Sequence, residues 1–436
     1  MTVEIHGVGA GLCGVGRAPD GRVAFVPGAL PGERVEAEPQ KQSERFLHAR
    51  LIEVLSPASE RTIPPCGAFG RCGGCAAQHM NYDATLRHKR QIVVDALQRI
   101  GGIAAPDVRP VIGMEAPWRY RNKAEYHIRR TADGYEIGAL EAESHALVPL
   151  DDCLLQHPAS IRAMREVRAW LNEDGAPDVQ YLVTRVNTDG RLMTILCGSG
   201  RINRIDALAD RLFANIPEMH ALYACELARR PAHALDGTCR FVRGEDSFYD
   251  ELLGLRFKLS PQSFFQVNRT QAEHLYEQAI AAANLTGNET VIDAYCGAGT
   301  ISLAMAKSAG RVIGLEIHPA AVRDARENAQ LNGLSDKAEF IEGDAKAALA
   351  DLVKQGVHAD VLIVDPPRKG VDPALIGAAL RANPSRVVYV SCNPATLARD
   401  VKGFVQDGRY RFEYAQPVDL FCWTEHIECV ALLSRT

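Results

Sequence analysis

The residues of this chain that could do chemistry stand where apolar runs end. In the stretch YVSCNPATLARD, Cys392 follows the run VVYV and precedes Asn393-Pro394, where a turn is expected. A cysteine that filled a core would sit inside the run, whereas this thiol lies at its exit. Parallel α/β sheets carry their chemistry at the carboxyl ends of their strands, so Cys392 is a candidate nucleophile.

Three earlier run ends suggest a nucleotide-containing cofactor. The stretch DAYCGAGT contains Gly297 and Gly299, which allow a ligand to approach backbone N–H groups at a helix start. The third glycine of a dinucleotide fingerprint is missing. Glu316 ends VIGLE, where a carboxylate can bind two ribose hydroxyls, and Asp344 ends IEGD, where one can meet an adenine amino group. These acids predict S-adenosylmethionine rather than NAD.

Asp365 closes the next apolar run, in VLIVDPPR. Asp-Pro-Pro at this place occurs in methyltransferases that hold a planar base, although a proline turn with a helix-capping acid is the simpler interpretation. Amino-methylating enzymes usually follow the prolines with an aromatic residue. Arg368 stands there instead, which argues against methylation of an adenine or cytosine amino group.

A thiol beside an acid is what methylation of uracil at C5 requires. Uracil C5 is too weak a nucleophile to take a methyl group from a sulfonium, but a thiolate added at C6 makes C5 carbanion-like. A base must then remove the C5 proton so that the thiolate can leave. Glu425 and Glu428 both precede the last apolar run, and the residues alone do not choose between them.

Three cysteines are clustered in IPPCGAFGRCGGC, with the spacing C-x5-C-x2-C. Cys66, Cys72 and Cys75 lie in a Gly/Pro-rich loop, where thiolates can converge on one centre. Cys153, in LDDCLLQHP, is the best candidate for a fourth ligand. We expect an iron–sulfur cluster with zinc as the rival metal, and loop cysteines without a metal as the weaker interpretation.

The elements that must position these residues fall into three predicted domains. Residues 1–56 show the short alternating strands and Pro/Gly turns of a small, oligonucleotide-binding type of β-barrel. Residues 57–260 predict a central α+β domain with the cysteine loop and a helix near 83–100 that packs on the catalytic domain. In residues 261–436, strands alternate with helices, as in a doubly wound, Rossmann-like sheet. The predicted fold class is therefore multidomain α/β.

Composition and charge limit the possible partners. The chain has 436 residues, too many for one ordinary core, and its 47% hydrophobic content is that of a globular protein. The opening MTVEIHGVGA lacks a basic-then-apolar leader and no apolar run is long enough to span a membrane, so we expect a cytoplasmic protein. A net charge of −5 argues weakly against nucleic acid. Residues 86–130 nevertheless hold ten Lys and Arg against four acids, either as a solvated helix face or as a phosphate-contacting surface.

Several motifs together resemble the RNA uracil-5-methyltransferase family: SCNPATLARD, DPPRKG, FFQVN at residues 264–268 and T-x-H-x-E at residues 424–428. The cysteine pattern looks like the iron–sulfur branch typified by 23S rRNA (uracil-5-)-methyltransferases, and the N-terminal barrel is similar to the TRAM domain of that branch. The resemblance covers nearly the whole chain. It implies an S-adenosylmethionine-dependent enzyme. Its substrate would be RNA, methylated at C5 of a uridine through a covalent cysteine–C6 adduct, with ribosomal RNA favoured over tRNA. Nothing in the sequence demands more than a monomer or points to an obligatory protein partner, so we expect a monomer.

The resemblance also implies roles for individual residues. Cys392 would be the nucleophile, Glu428 the proton-abstracting base and Asp365 a residue that positions uracil. Phe264 would stack on the flipped base, although a core phenylalanine is about as good an interpretation. The remaining implied roles are contact with S-adenosylmethionine or uracil (Gln266, Tyr295, Gly297, Thr300, Glu316, Asp344 and Asp365), ligation of a [4Fe–4S] cluster (Cys66, Cys72, Cys75 and Cys153) and contact with RNA (Arg119, Arg121 and Lys123).

Two departures from the family pattern and three alternatives stay open. Cys422-Trp423 stands where Pro-His or a similar pair is expected, and Thr300 stands where the better-known rRNA enzyme has asparagine. The first alternative is the same chemistry on tRNA. The second is an RNA cytosine-5 methyltransferase, which typically has another cysteine near the position of Arg368. The third is a non-catalytic RNA-binding or redox-sensing protein with a vestigial methyltransferase fold.

Overall fold

The structure is a computed structural model and describes residues 1–142, 144–174 and 178–436. Within these ranges, no helix is both long and apolar enough to cross a membrane. The described strands form a closed barrel, a central sheet, a short hairpin and a C-terminal sheet.

The N-terminal strands close into a five-stranded barrel, which confirms the prediction. Apolar side chains alternate along each strand, so that Val3, Ile5 and Leu47 are buried in the barrel core. The fifth strand closes the barrel because it pairs with both the third and the fourth. The strands are β1 (Thr2–Val8), β2 (Gly14–Arg17), β3 (Val23–Val26), β4 (Arg34–Gln42) and β5 (Phe46–Ser56), in the order β1-β2-β3-β5-β4.

One helix follows the cysteine loop. Helix α1 (Tyr82–Arg99) begins at Asn81, whose side chain accepts the Ala84 N–H, and Gly102 follows it with a φ of 73°. Its buried face belongs to the hydrophobic core of the C-terminal half. Leu97 of this helix lies in the same hydrophobic cluster as Ala398 of that half. This helix therefore packs with the C-terminal half of the chain, although the barrel and cysteine loop precede it.

The central sheet separates two cores. Helices α2 (Pro158–Asp174) and α3 (Ile205–Asn215) cover one face, and the other face shares its core with the C-terminal half. Its described strands are β6 (Lys123–Thr131), β7 (Gly134–Leu140), β8 (Leu147–Pro149), β9 (Val179–Val186), β10 (Leu192–Gly198), β11 (Met219–Leu227) and β12 (Gly237–Gly244), in the order β12-β11-β10-β9-β6-β7-β8.

The C-terminal half is the doubly wound sheet that the sequence predicts. A hairpin of β13 (Tyr249–Leu252) and β14 (Leu255–Lys258) and helix α4 (Arg269–Ala283) precede it. The strands are β15 (Thr290–Ala294), β16 (Arg311–Glu316), β17 (Ala338–Glu342), β18 (Val361–Val364), β19 (Arg386–Ser391), β20 (Tyr410–Val418) and β21 (Glu428–Arg435). The helices between them are α5 (Thr300–Ala306), α6 (Pro319–Leu331), α7 (Ala345–Lys354), α8 (Pro373–Ala382) and α9 (Pro394–Val405).

The strand order of this sheet is β17-β16-β15-β18-β19-β21-β20. Strands β15 to β19 are parallel, and the order reverses between β15 and β18, where ligands of such sheets bind. Strand β21 is inserted between β19 and β20 and runs antiparallel to both. Its first residue consequently lies at the same edge as the carboxyl ends of the parallel strands.

Candidate active site

A cavity of about 1000 Å³ lies at the carboxyl ends of the parallel strands. All ten residues to which the family resemblance gives a role towards the cofactor or the target uracil line it. They are Phe264, Gln266, Tyr295, Gly297, Thr300, Glu316, Asp344, Asp365, Cys392 and Glu428.

The glycine turn and Glu316 form one side of the cavity. Gly297 has a φ of 54°, and a Cβ placed on it would meet no atom within 4 Å, so the turn leaves open space beside its backbone. The Glu316 carboxylate accepts N–H groups from Gly297 at 3.0 Å and His318 at 2.8 Å, which fixes its orientation. Each of its oxygens keeps a lone pair for a further donor. This side therefore fits the ribose of an adenosine cofactor.

Helix starts position the next cofactor candidates. Asp344 caps α7 by accepting the Lys346 N–H, and its side chain stays exposed at the rim. Thr300 is the first residue of α5, and its hydroxyl lies 3.2 Å from the Tyr276 hydroxyl. Tyr276 also lines the cavity, and sequence reasoning missed it because it occurs within the apolar pattern of α4. Tyr295 has a φ of 72°, a strained value for a bulky residue that is typical of functional sites.

The opposite side of the cavity brings the thiol and two carboxylates together. Cys392 directly follows β19, Glu428 begins β21, and the antiparallel register pairs their neighbours Ser391 and Cys429. Asp365 directly follows β18, the parallel neighbour of β19. The three groups thus stand at the ends of three adjacent strands.

The cavity wall withdraws these groups from water and changes their acidity. Burial raises the pKa of Glu428 to about 8; the charge of Asp365 adds to this rise and Arg368 opposes it. Burial likewise raises the pKa of Asp365 to about 7. Burial, then Glu428 and Asp365, raise the pKa of the Cys392 thiol to about 11, again opposed by Arg368. Glu428 is therefore poised to exchange a proton near neutral pH.

Arg368 and His426 form part of the site that the sequence analysis did not assign. Both line the cavity, and Arg368 Nη2 lies 3.1 Å from His426 Nε2. The arginine carbonyl accepts the Asn393 amide at 3.1 Å, which ties it to the turn after Cys392. The sequence held a signal for each of them: Arg368 directly follows Asp-Pro-Pro, and His426 stands two residues before Glu428. Arg368 supplies positive charge where a thiolate would form.

The structure separates the two candidate carboxylates. Glu428 is 5% exposed and lines the cavity, whereas Glu425 is exposed and does not line it. Glu425 instead lies against the barrel, next to Gly11. A Cβ built on this glycine would come within 2.9 Å of Glu425 Oε2. Geometry thus favours Glu428 as the base.

The four cysteines of the predicted cluster line a second pocket, of about 110 Å³. Three buried polar atoms in its lining have no hydrogen-bond partner: Arg121 Nε, the Tyr126 hydroxyl and Gln156 Oε1. Arg121 Nε and the Tyr126 hydroxyl are hydrogen-bond donors, so both could donate to an anionic group in the pocket. No three His, Cys, Asp or Glu side chains in the described ranges are arranged to hold a metal ion. In a four-iron cluster each thiolate binds a different iron, so its ligands stand farther apart than around zinc. The four thiols around one pocket and the unpaired donors in its lining are compatible with a [4Fe–4S] cluster, which stays a prediction.

The predicted RNA-contacting residues 119–123 lie beside this pocket. Arg119 forms an ion pair with Asp152 at 2.6 Å, and Arg121 points its Nε into the protein. Lys123 begins β6 and is partly buried, which lowers its pKa. In the same basic stretch, Lys89 is fully buried. Contact of these residues with RNA stays a prediction.

Comparisons with known proteins agree with the geometry. The sequence pattern of the tRNA (Uracil-5-)-methyltransferase family matches residues 245–436, and that of the TRAM domain matches residues 1–52. An uncharacterized RNA methyltransferase from Halalkalibacterium halodurans is 42% identical, over 98% of this chain and 94% of its own. The chain belongs to the RNA uracil-5-methyltransferase family. A second uncharacterized RNA methyltransferase, from Caldanaerobacter subterraneus subsp. tengcongensis, is 41% identical over 99% of this methyltransferase and 97% of its own length.

A solved structure extends the likeness over the whole fold of the methyltransferase. The tRNA (uracil-54, C5)-methyltransferase of Pyrococcus abyssi, in complex with S-adenosyl-L-homocysteine, matches with a TM-score of 0.78 and 26% identity. The match covers 99% of this chain and 100% of that one. The predictions of an N-terminal TRAM domain, an S-adenosylmethionine-dependent methyltransferase domain and an RNA substrate are confirmed. The non-catalytic alternative is set aside.

Proposed function

We propose that this methyltransferase methylates C5 of a uridine in 23S rRNA through a covalent adduct between Cys392 and uracil C6. The observation that carries the proposal is the placement of Cys392, Asp365 and Glu428 at three adjacent strand ends of one cavity. Methylation at C5 needs a nucleophile, a group that holds the base and a proton acceptor, and these residues supply one each.

Cys392 begins the reaction by releasing its proton to water and adding, as a thiolate, to C6. The Sγ–C6 bond forms, and the electrons of the C5–C6 double bond move towards C5. Arg368 assists because its charge favours the thiolate over the thiol. Asp365, in its ionised form, accepts the N3–H of uracil, a hydrogen that cytosine lacks. This contact favours uracil over the cytosine alternative.

Glu428 completes the reaction. Its carboxylate takes the C5 proton, the electrons of that C–H bond restore the C5–C6 double bond, and the C6–Sγ bond breaks. Cys392 is then free again as a thiolate. A base with a pKa near 8 suits this step, because it accepts a proton readily and releases it to water near neutral pH.

Six residues of the cavity would hold the cofactor. Bound S-adenosylmethionine supplies the methyl group that C5 accepts. Gly297, Glu316 and Asp344 would bind its adenosine part, and Gln266, Tyr295 and Thr300, which line the same cavity, would contact the rest of it. The open space beside Gly297 and the fixed Glu316 carboxylate support this assignment.

Cys66, Cys72, Cys75 and Cys153 would hold a [4Fe–4S] cluster. The pocket between them and the unpaired donors of Arg121 and Tyr126 support this proposal. Because methyl transfer moves no unpaired electron, we assign the cluster a structural role.

Two exposed aromatic sites would contact RNA bases. Phe264 is 74% exposed at the cavity, where it can stack on a flipped uracil. On the barrel, the rings of Phe25 and His48 stack at 5.2 Å, and Phe46, 43% exposed, lies edge-on to His48. Such rings stack with single-stranded bases of any sequence.

Transfer RNA is the second candidate substrate. It is favoured by the likeness to the Pyrococcus abyssi enzyme, whose substrate is tRNA. The 23S rRNA proposal is supported by the cysteine pattern and by the pocket that these cysteines line. Cytoplasmic location and a monomeric state stay predictions from the sequence.

One experiment tests the reaction and the substrate together. Unmethylated ribosomal and transfer RNA are incubated separately with the purified protein and methyl-labelled S-adenosylmethionine, then digested and analysed by mass spectrometry. We expect 5-methyluridine in 23S rRNA with the native protein and none with Cys392→Ala. Label in tRNA alone would overturn the rRNA assignment, and label in 5-methylcytidine would overturn the uracil assignment. Label with Cys392→Ala would overturn the adduct.

A further inference from the structure

The β20–β21 loop (residues 419–427) forms one wall of the base side of the cavity. Phe421 and His426 from this loop line the cavity, next to Glu428. His426 in turn contacts Arg368, the cation that faces Cys392 and Glu428. The shape of this loop therefore decides where the positive charge and the wall of the uracil pocket stand.

Helix α1 holds the loop through a buried ion pair. Lys89 and Asp419 are both fully buried, and Lys89 Nζ lies 2.5 Å from Asp419 Oδ1. Lys89 also donates to the Phe421 carbonyl at 3.1 Å. The Tyr82 hydroxyl donates to the other carboxylate oxygen of Asp419 at 2.8 Å. Three donor contacts thus run from α1 to the first residues of the loop.

The next carbonyls of the loop are also held by distant segments. The N–H groups of Ala76 and Ala77, directly after Cys75, donate to the Trp423 carbonyl at 2.8 and 3.1 Å. Three further contacts are Asn268 Nδ2 to the Leu420 carbonyl, the Tyr120 hydroxyl to the Cys422 carbonyl and Trp423 Nε1 to the Pro117 carbonyl.

Trp423 adopts a conformation that needs this support. Its φ is 65°, which a bulky residue keeps only when its surroundings fix it. Its indole stacks on Trp118 with ring centres 4.6 Å apart. A buried ion pair is often no more stabilising than an apolar pair of similar volume, so stability alone does not account for Lys89 and Asp419.

We propose that Lys89, Tyr82 and the N–H groups of Ala76 and Ala77 are positioning elements for the uracil chemistry. They fix the β20–β21 loop, which places Phe421, His426 and, through His426, Arg368. Because Ala76 and Ala77 directly follow Cys75, the cysteine loop supports the same wall. The inference rests on the proposed function in that it assigns this wall to the target uracil.

The test compares Lys89→Met with the native protein in three measurements. The first is the affinity for S-adenosylhomocysteine by calorimetry, since neither Lys89 nor Tyr82 lines the cavity. The second is the circular dichroism of the stacked Trp118–Trp423 pair. The third is the single-turnover rate of RNA methylation at saturating RNA. Arg99→Ala is the matched control, because it removes an exposed cation of the same helix.

We expect Lys89→Met to keep its affinity for S-adenosylhomocysteine within about twofold and to lose the signal of the coupled indoles. Its methylation rate should fall about 10- to 100-fold, as expected for a displacement of about 1 Å near reacting groups. Tyr82→Phe leaves the ion pair intact and should show the same pattern more weakly. Arg99→Ala should behave as native.

Several outcomes would overturn the proposal. One is a native rate in both Lys89→Met and Tyr82→Phe. Another is an equal loss of cofactor affinity and rate in Tyr82→Phe, which would show general damage. If Lys89→Met does not fold, Tyr82→Phe decides by itself. Should the native protein methylate no RNA, the proposed function fails instead, and an unchanged indole signal in Tyr82→Phe would still refute the positioning of the loop.

Discussion

Replacing Glu428 by glutamine should stop the reaction after methyl transfer, with the RNA still bonded to Cys392. Glutamine keeps the shape of the side chain but cannot take the C5 proton, so the C6–Sγ bond cannot break. A positioned general base typically contributes about 100- to 10,000-fold, and we expect the release of methylated RNA to slow by at least about 100-fold. The exposed neighbour Glu425 provides the matched control as Glu425→Gln.

The pKa of Glu428 sets the pH dependence of the same step. With a pKa of about 8, about one tenth of the Glu428 side chains are ionised at pH 7 and about one hundredth at pH 6. Release of methylated RNA by the native enzyme should therefore rise about tenfold from pH 6 to pH 7 and level off above pH 8. An ordinary carboxyl, with its lower pKa, would give no change in this range.

The assay is a single turnover with methyl-labelled S-adenosylmethionine, stopped in denaturant and separated on a gel. Adduct appears as label that migrates with protein, and product as label that migrates with free RNA. Accumulation of adduct in Glu428→Gln and rapid release in Glu425→Gln are expected. The reasoning is refuted if Glu428→Gln releases RNA at the native rate, or if Glu425→Gln is the variant that stalls.

Four further predictions follow from the same geometry. The pKa of Glu428 is higher in the folded protein than in the unfolded chain, so this group lowers the stability of the native protein as pH rises from 4.5 to about 8. In calorimetry, Glu428→Gln should therefore melt at a higher temperature than the native protein at pH 8, and near the native temperature at pH 4.5. Glu316→Ala should weaken S-adenosylhomocysteine binding by at least about tenfold in titration calorimetry, because a hydrogen-bonded carboxylate is lost. Cys153→Ser should lower the iron content and visible absorbance of anaerobically purified protein, whereas the distant Cys239→Ser should leave both unchanged. Phe46→Ala should weaken binding of single-stranded RNA in fluorescence anisotropy by about 1 to 3 kcal/mol, and an unchanged affinity would exclude the barrel rings from the interface.

Local sequence patterns predict most of the C-terminal half and one side of its site. Buried parallel strands appear as short apolar runs and the helices between them as longer amphipathic patterns, because both follow from backbone geometry within a few residues. Once the strands are parallel, their carboxyl ends share one edge. The residues after those ends, from Gly297 through Glu316 and Asp365 to Cys392, consequently line a single cavity. The alternating strands of the β-barrel and the amphipathic pattern of α1 could likewise be predicted from short stretches of sequence.

Long-range packing, which local patterns do not encode, brings distant segments together to complete the site. Glu428 lies beside Cys392 because β21 inserts antiparallel between β19 and β20, an arrangement that no local pattern encodes. Lys89 appears in the sequence as one charge on an amphipathic helix. In the folded protein it is desolvated against Asp419, 330 residues away. A charge becomes a buried partner only when the assembled core removes water from both groups, so local sequence could not predict this contact.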